Sequence, residues 1–213
     1  MSLLYDDRIG VMGERTLPMR PLHFKNWLLI FFLTSQIFLS HVFALSEIPQ
    51  ALDLRSGNKV DFLLKSGSAK KKYTVLIFLS IQCPCSRSHQ PVLRKLYEDF
   101  SGDQFQFFGI HSNANESVQD SLKYFKDADL PFPVIQDSEG VIANELSAYK
   151  TPHAYILDPE MKVIYQGGVD NSSDASRATE HFIRDSLSLI QKGQSLKESK
   201  RRVLGCQILR SSS

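Results

Sequence analysis

The stretch Thr74-Val75-Leu76-Ile77-Phe78-Leu79-Ser80-Ile81-Gln82-Cys83-Pro84-Cys85-Ser86-Arg87-Ser88-His89 runs from an unbroken apolar segment into the opening of an amphipathic helix. A run of β-branched, aliphatic and aromatic residues of this kind belongs to a strand buried on both faces, usually parallel and central. Two of the chain's three cysteines follow it directly. A thiol at a helix N-terminus faces unpaired backbone N–H groups and the positive end of the helix dipole, and both favour the thiolate. The turn is therefore a candidate reactive site.

The spacing places Cys83 at the N-cap, Pro84 at N1, where proline is preferred, and Cys85 at N2. Side chains two apart on a helix diverge. A Cys83–Cys85 bridge must then distort the turn or rely on the non-helical N-cap, and it would be strained and easily reduced. His89 lies four residues after Cys85, on the same helix face, where an imidazolium would lower the thiol's pKa. The helix continues with Val92, Leu93, Leu96, Tyr97 and Phe100 on one face, and Pro91 inside it should kink it.

Downstream, residues 105–110 read as a second strand ending at His111, which is assigned a structural role. A helix over about 116–127 carries Val118, Leu122 and Phe125, and Pro131 and Pro133 stop it. Val134-Ile135 reads as a short strand, and 137–148 as a turn and helix with Val141, Ile142 and Leu146 facing in. Thr151-Pro152-His153-Ala154-Tyr155-Ile156-Leu157 and Lys162-Val163-Ile164-Tyr165, around Asp158-Pro159-Glu160-Met161, form an antiparallel hairpin. A last helix is expected over 174–192, with Ala178, Phe182, Leu187 and Ile190 inward. Upstream, Val60-Asp61-Phe62-Leu63-Leu64 is a short strand. Strand alternating with helix indicates an α/β layer architecture.

The N-terminus has a different texture. A basic start at Lys25, the apolar residues 27–33 and 37–39, and Val42-Phe43-Ala44 are the parts of a secretory signal cut after Ala44. The rival is an uncleaved anchor, but the run is shorter than the roughly 20 residues a spanning helix needs. Residues 1–18 are polar and acidic, which suggests a non-native extension or a misassigned start, with translation beginning at Met19 and a signal over 19–44. The organisation that follows is one domain over 45–192 and a basic tail over 193–213. Export places the thiols in an oxidising compartment. Three cysteines leave one unpaired, which argues against a disulfide scaffold. A net charge of +2 gives no sign of nucleic acid or an acidic substrate, and Lys70-Lys71-Lys72 and Lys200-Arg201-Arg202 are read as solvated surface.

Over residues 54–192 this order resembles the thioredoxin-like fold, a central mixed β-sheet flanked by helices. More narrowly it resembles the redoxin family, which holds the alkyl hydroperoxide reductase/thiol-specific antioxidant proteins and exported thiol–disulfide oxidoreductases. Cys83 matches the nucleophilic cysteine after the central strand, Pro91 the helix proline, and Pro152 the cis-proline facing the site. Gly205-Cys206 is similar to the Gly-Cys segment that ends some exported redoxins.

The resemblance implies a thiol–disulfide oxidoreductase with no cofactor and a periplasmic location. Its partners would be protein disulfides or thiols and a reducing thioredoxin-like protein, with no stable membrane insertion after cleavage. Cys83 would attack, Cys85 or Cys206 would resolve, and Thr151, Pro152 and His153 would shape the substrate groove. Ser80, Pro84 and His89 would support the thiol.

Ser86 stands where a C-x-x-C motif has its second cysteine, so the match is incomplete. Peroxide reduction is the alternative: Ser80 stands where peroxiredoxins place Thr, but the position of their peroxide-polarising Arg holds Pro152. A third reading is a non-enzymatic Cu(I)-binding protein using Cys83, Cys85, His89 and His153.

Overall fold

The computed structural model describes residues 48–62 and 72–210. The signal-like segment, the extension before it, Leu63-Leu64 and Lys70-Lys71 lie outside those residues. In order the elements are β1 (Ile48–Leu52), β2 (Lys59–Phe62), β3 (Tyr73–Phe78), α1 (Pro84–Phe100), β4 (Phe105–His111), α2 (Val118–Asp127) and β5 (Val134–Gln136). There follow α3 (Val141–Glu145), β6 (Lys150–Thr151), β7 (His153–Leu157), β8 (Val163–Gly167), a 3-10 turn at Ala175–Arg177, α4 (Phe182–Gln191) and β9 (Cys206–Gln207).

The apolar run is the middle strand of a five-stranded sheet ordered β5-β4-β3-β7-β8. Strand β3 pairs in parallel with β4, and β4 with β5, while the β7–β8 hairpin is antiparallel to it. The sheet is thus mixed, and β3 is buried on both faces for a visible reason. Val75 and Ile77 join Leu93, Leu96 and Phe100 of α1, Phe125 of α2, and Ile183 and Leu187 of α4 in one core. Leu76 and Phe78 join Phe62, Ile142, Leu146, Tyr155 and Ile208 in the other. Each such fully buried aliphatic side chain is worth about 1.5–3 kcal/mol. Helix α1 runs unbroken through Pro91. Among the described residues no helix is long and apolar enough to cross a membrane.

Several expected elements differ. The last helix begins at Phe182 rather than 174, because Asp174 turns its carboxylate onto the Ser176 N–H and closes a separate 3-10 turn. Side chain–backbone bonds of this sort compete with helix formation. Asn171 accepts from the N–H groups of Thr179 and Glu180, which keeps Ala178 out of the helix as well. Val118 and Val141, expected to face inward, are exposed, each as the first residue of its helix. Strand β2 overlaps the short strand expected from Val60, whereas its hairpin partner β1 was not expected.

Lys200 and Arg202 are exposed, as read, but the backbone of the basic tail is tied to the domain. Gln166 donates to Ser199 O and accepts from Arg201 N, Gly168 donates to Arg202 O, and the Arg201 guanidinium lies over the Phe182 ring. Val203 and Ile208 are buried, and Arg210 bonds to the carbonyls of Ala143 and Ala148. Between these anchors β9 pairs antiparallel with β6, placing Cys206 opposite Thr151.

Candidate active site

The site forms where the carboxyl ends of β3 and β4 meet the start of α1, the crevice that open α/β sheets commonly use. Cys83 is the N-cap in extended conformation, with Pro84 and its missing N–H in the first turn, as the spacing implied. Its backbone N–H donates to Ser80 Oγ at 3.1 Å, and the Ser80 hydroxyl donates to Glu116. Glu116, buried, also accepts from the N–H groups of Ile81 and Gln82 at 2.9 and 3.2 Å and lies 2.7 Å from His111 Nε2. Burial opposes its charge, but the bonds from His111, Ser80 and the two amides outweigh that and hold its carboxyl below the usual range. Sequence reasoning missed Glu116, since it reads as an acidic residue at a helix start. The one signal was its place five residues after a strand that ends beside Cys83.

Cys83 is 1% exposed, and its thiol donates to Thr151 O at 3.1 Å. The Thr151-Pro152 bond is cis. The sulfurs of Cys83, Cys85 and Cys206 lie within 4.8 Å of one another, all as free thiols. The extended N-cap is what brings Cys83 and Cys85 together despite their helical spacing. Cys206 arrives because Gly205, at φ 149°, lets the tail close on Thr151.

Burial opposes ionisation of Cys83. Hydrogen bonds from the Cys206 thiol, the Thr151 hydroxyl and the N–H groups of Ser86 and Cys206 overcome it, and the pKa falls to about 7. The Thr151 hydroxyl has no partner while Cys83 keeps its proton, so it is available to the thiolate. Burial, then the neighbouring Cys83 and Cys85 sulfurs, pushes Cys206 up to about 12. Cys85 is raised too, by burial and then by Cys83. One nucleophile and two protonated neighbours result. A cavity of about 240 Å3, lined by Ser80, Gln82, Asn115, Glu116, Cys206 and Gln207, opens onto Cys83.

Two histidines depart from expectation. His89 is not paired with a thiol. It is buried, with Nε2 3.1 Å from Asp170 Oδ2 and Nδ1 2.7 Å from the Cys85 carbonyl. Burial disfavours its charge, but both nitrogens face acceptors and its pKa is raised. It braces the helix turn through the Cys85 backbone. His153 does not line a groove: strand alternation puts it beside Tyr155 and among the rings of Phe78 and Tyr149. Burial lowers its pKa to about 4, and its Nε2 has no partner. Neither imidazole meets the thiols, so the four-residue Cu(I) set read from the sequence is not assembled.

A thioredoxin-like fold with a cis-proline loop against a cysteine N-cap defines the class as thiol-based redox proteins. Within it, the chain belongs to the AhpC/TSA family, whose sequence profile matches residues 50–166. Among curated proteins it is similar to the thioredoxin-like protein YneN of Bacillus subtilis (strain 168), 29% identical over 107 residues. That match covers 46% of this chain and 62% of the relative, so less than two thirds of the relative's length is spanned. Among solved structures, an uncharacterized conserved protein from Geobacillus kaustophilus superposes with a TM-score of 0.67 at 25% identity, over 77% of this chain and 89% of that one. A hypothetical protein from Sinorhizobium meliloti 1021 gives 0.66 at 20% identity, over 76% and 91%. The pneumococcal exposed lipoprotein thioredoxin from Streptococcus pneumoniae strain TIGR4 gives 0.51 at 18%, over 65% and 96%, a likeness of fold.

Proposed function

We propose that this chain is an exported thiol–disulfide oxidoreductase in which Cys83 attacks and Cys85 or Cys206 resolves. The observation that carries the reading is the sulfur triangle, with two protonated thiols inside 4.8 Å of the one lowered to about 7. The Cys83 thiolate attacks one sulfur of a substrate disulfide, forming a mixed disulfide, and the other substrate sulfur leaves and takes up a proton. A neighbouring thiol loses its proton and attacks the Cys83 sulfur. This releases the second substrate thiol and leaves an intrachain disulfide. An external dithiol, such as a thioredoxin-like partner, restores the three thiols by the reverse exchange. The Thr151 carbonyl accepts from the Cys83 thiol, the Thr151 hydroxyl supports the thiolate once the proton leaves, and Ser80 and Pro84 act by fixing the Cys83 turn. The signal-like residues 19–44 support an exported, periplasmic location and a mature start after Ala44.

The test is reduction of an insulin-type disulfide by a dithiol. Cys83→Ser abolishes turnover, and full activity in that variant overturns the assignment. Peroxide reduction is the second reading. It is favoured by the family match and by the small cavity at Cys83, and opposed by Ser80, whose hydroxyl is committed to Glu116. Stoichiometric peroxide consumption by the reduced protein, with no disulfide turnover, selects it.

A further inference from the structure

The three sulfurs come from three different backbone positions, the N-cap, the first turn of α1 and the β9 strand, yet converge within 4.8 Å. Among the described residues they form the one group of three or more His, Cys, Asp or Glu side chains at metal-ligand spacing. We propose that the reduced protein binds one Cu(I) ion through the sulfurs of Cys83, Cys85 and Cys206.

The geometry suits a three-coordinate soft ion. A metal about 2.3 Å from each of three coplanar sulfurs spaces them about 4 Å apart, inside the 4.8 Å within which the three sulfurs lie. Thiolates select soft ions such as Cu(I). A closed structural Zn(II) site asks for a fourth protein ligand, and among the described residues near the sulfurs none is free to supply it. Glu116 spends its carboxylate on Ser80, Ile81, Gln82 and His111, and His89 spends both nitrogens on Asp170 and the Cys85 carbonyl. His153 turns into the aromatic core. The negative charge of the thiolates meets the N-terminus of α1 and the N–H groups of Ser86 and Cys206.

Binding replaces the S–H bonds of Cys85 and Cys206, and that of Cys83 where it is still protonated, with Cu–S bonds and releases two to three protons, with no change in oxidation state, so affinity rises with pH. Any intrachain disulfide removes two of the three ligands. The metal-bound form is therefore confined to the reduced protein and competes with thiol exchange.

The experiment titrates the reduced, full-length protein anaerobically with Cu(I) against the chromogenic chelator bicinchoninate. One equivalent is retained, X-ray absorption gives a three-sulfur shell, and the oxidised protein retains none. Cys206→Ser and Cys85→Ser each weaken retention by at least the roughly 100-fold that loss of a merely supporting group can cost, with an unchanged circular dichroism spectrum. Undiminished affinity in Cys206→Ser, a two-sulfur shell, or preferred uptake of Zn(II) overturns the proposal. These readouts use the metal alone, so failure here leaves the oxidoreductase reading standing, and failure of disulfide turnover leaves the metal site standing.

Discussion

Gly205 lies so close to the carbonyl of Thr151 that no Cβ fits between them, and its φ of 149° belongs to glycine. This contact lets the tail deliver Cys206 to Cys83. Gly205→Ala forces β9 off β6, at a cost of about 1–3 kcal/mol for overpacking. In peptide mapping of the oxidised protein, the share of Cys83–Cys206 bridge falls in this variant and the share of Cys83–Cys85 rises. An unchanged ratio of the two bridges would mean that the tail does not control which thiol resolves.

The lowered Cys83 pKa predicts a pH profile. Alkylation of Cys83 by iodoacetamide rises through a midpoint near 7, and Cys206→Ala, which removes the first of the thiolate's donors, moves that midpoint upward. Stability follows the same sign. A folded pKa below the unfolded value adds stability above the unfolded thiol range, near 8.5, and loses it as pH falls through about 7. Denaturant melts of the reduced protein at pH 6 and 9, compared with Cys83→Ala, measure this contribution. A midpoint above 8 in the alkylation profile contradicts the arrangement described.

The site was legible where local chemistry decided it. Leu76, Ile77 and Phe78 read as a central strand because only burial on both faces suits them, and Cys83-Pro84 reads as a helix start because proline suits N1. Thr151-Pro152 was legible only through resemblance. What was hidden depends on residues distant in sequence. Glu116 reaches across 36 positions to Ser80, and Asp170 across 81 to His89, and no periodicity announces either pairing. The burial of His153 follows from strand alternation once Tyr155 is placed inside, yet beside a proline loop the residue reads as exposed. Gly167 and Gly168, at the end of β8, clear a path for the tail at Arg201 and Arg202, a need that their own sequence does not announce.

The His89–Asp170 pair, both buried, braces the turn that carries Cys85. Removing one partner of a buried pair costs about 3–5 kcal/mol, so Asp170→Asn lowers stability by about 3 kcal/mol near pH 6. The raised histidine pKa means that the pair's contribution is full below the unfolded value near 6.5 and lost as pH rises through the folded one. The difference between wild type and variant therefore shrinks toward pH 9. Urea melts across that range check it, and a difference that grows with pH rules out the charged pair.

Glu116 acts through the backbone, since its oxygens take the Ser80 hydroxyl and the amides of Ile81 and Gln82, the residues that lead into Cys83. Glu116→Gln keeps the shape but turns an NH2 group toward donors, leaving a buried bond unmade at about 1–3 kcal/mol. The lowered carboxyl pKa gives wild type a stability increment that is present above the unfolded value near 4.3 and lost as pH falls through the folded one. The variant should lose this acid limb, so the two proteins converge toward pH 3 and separate at pH 7. A positioning role also predicts a shifted Cys83 alkylation midpoint in Glu116→Gln, because the loosened turn no longer holds the sulfur against Thr151 and Cys206. If stability falls while that midpoint stays near 7, Glu116 supports the fold without setting the thiol.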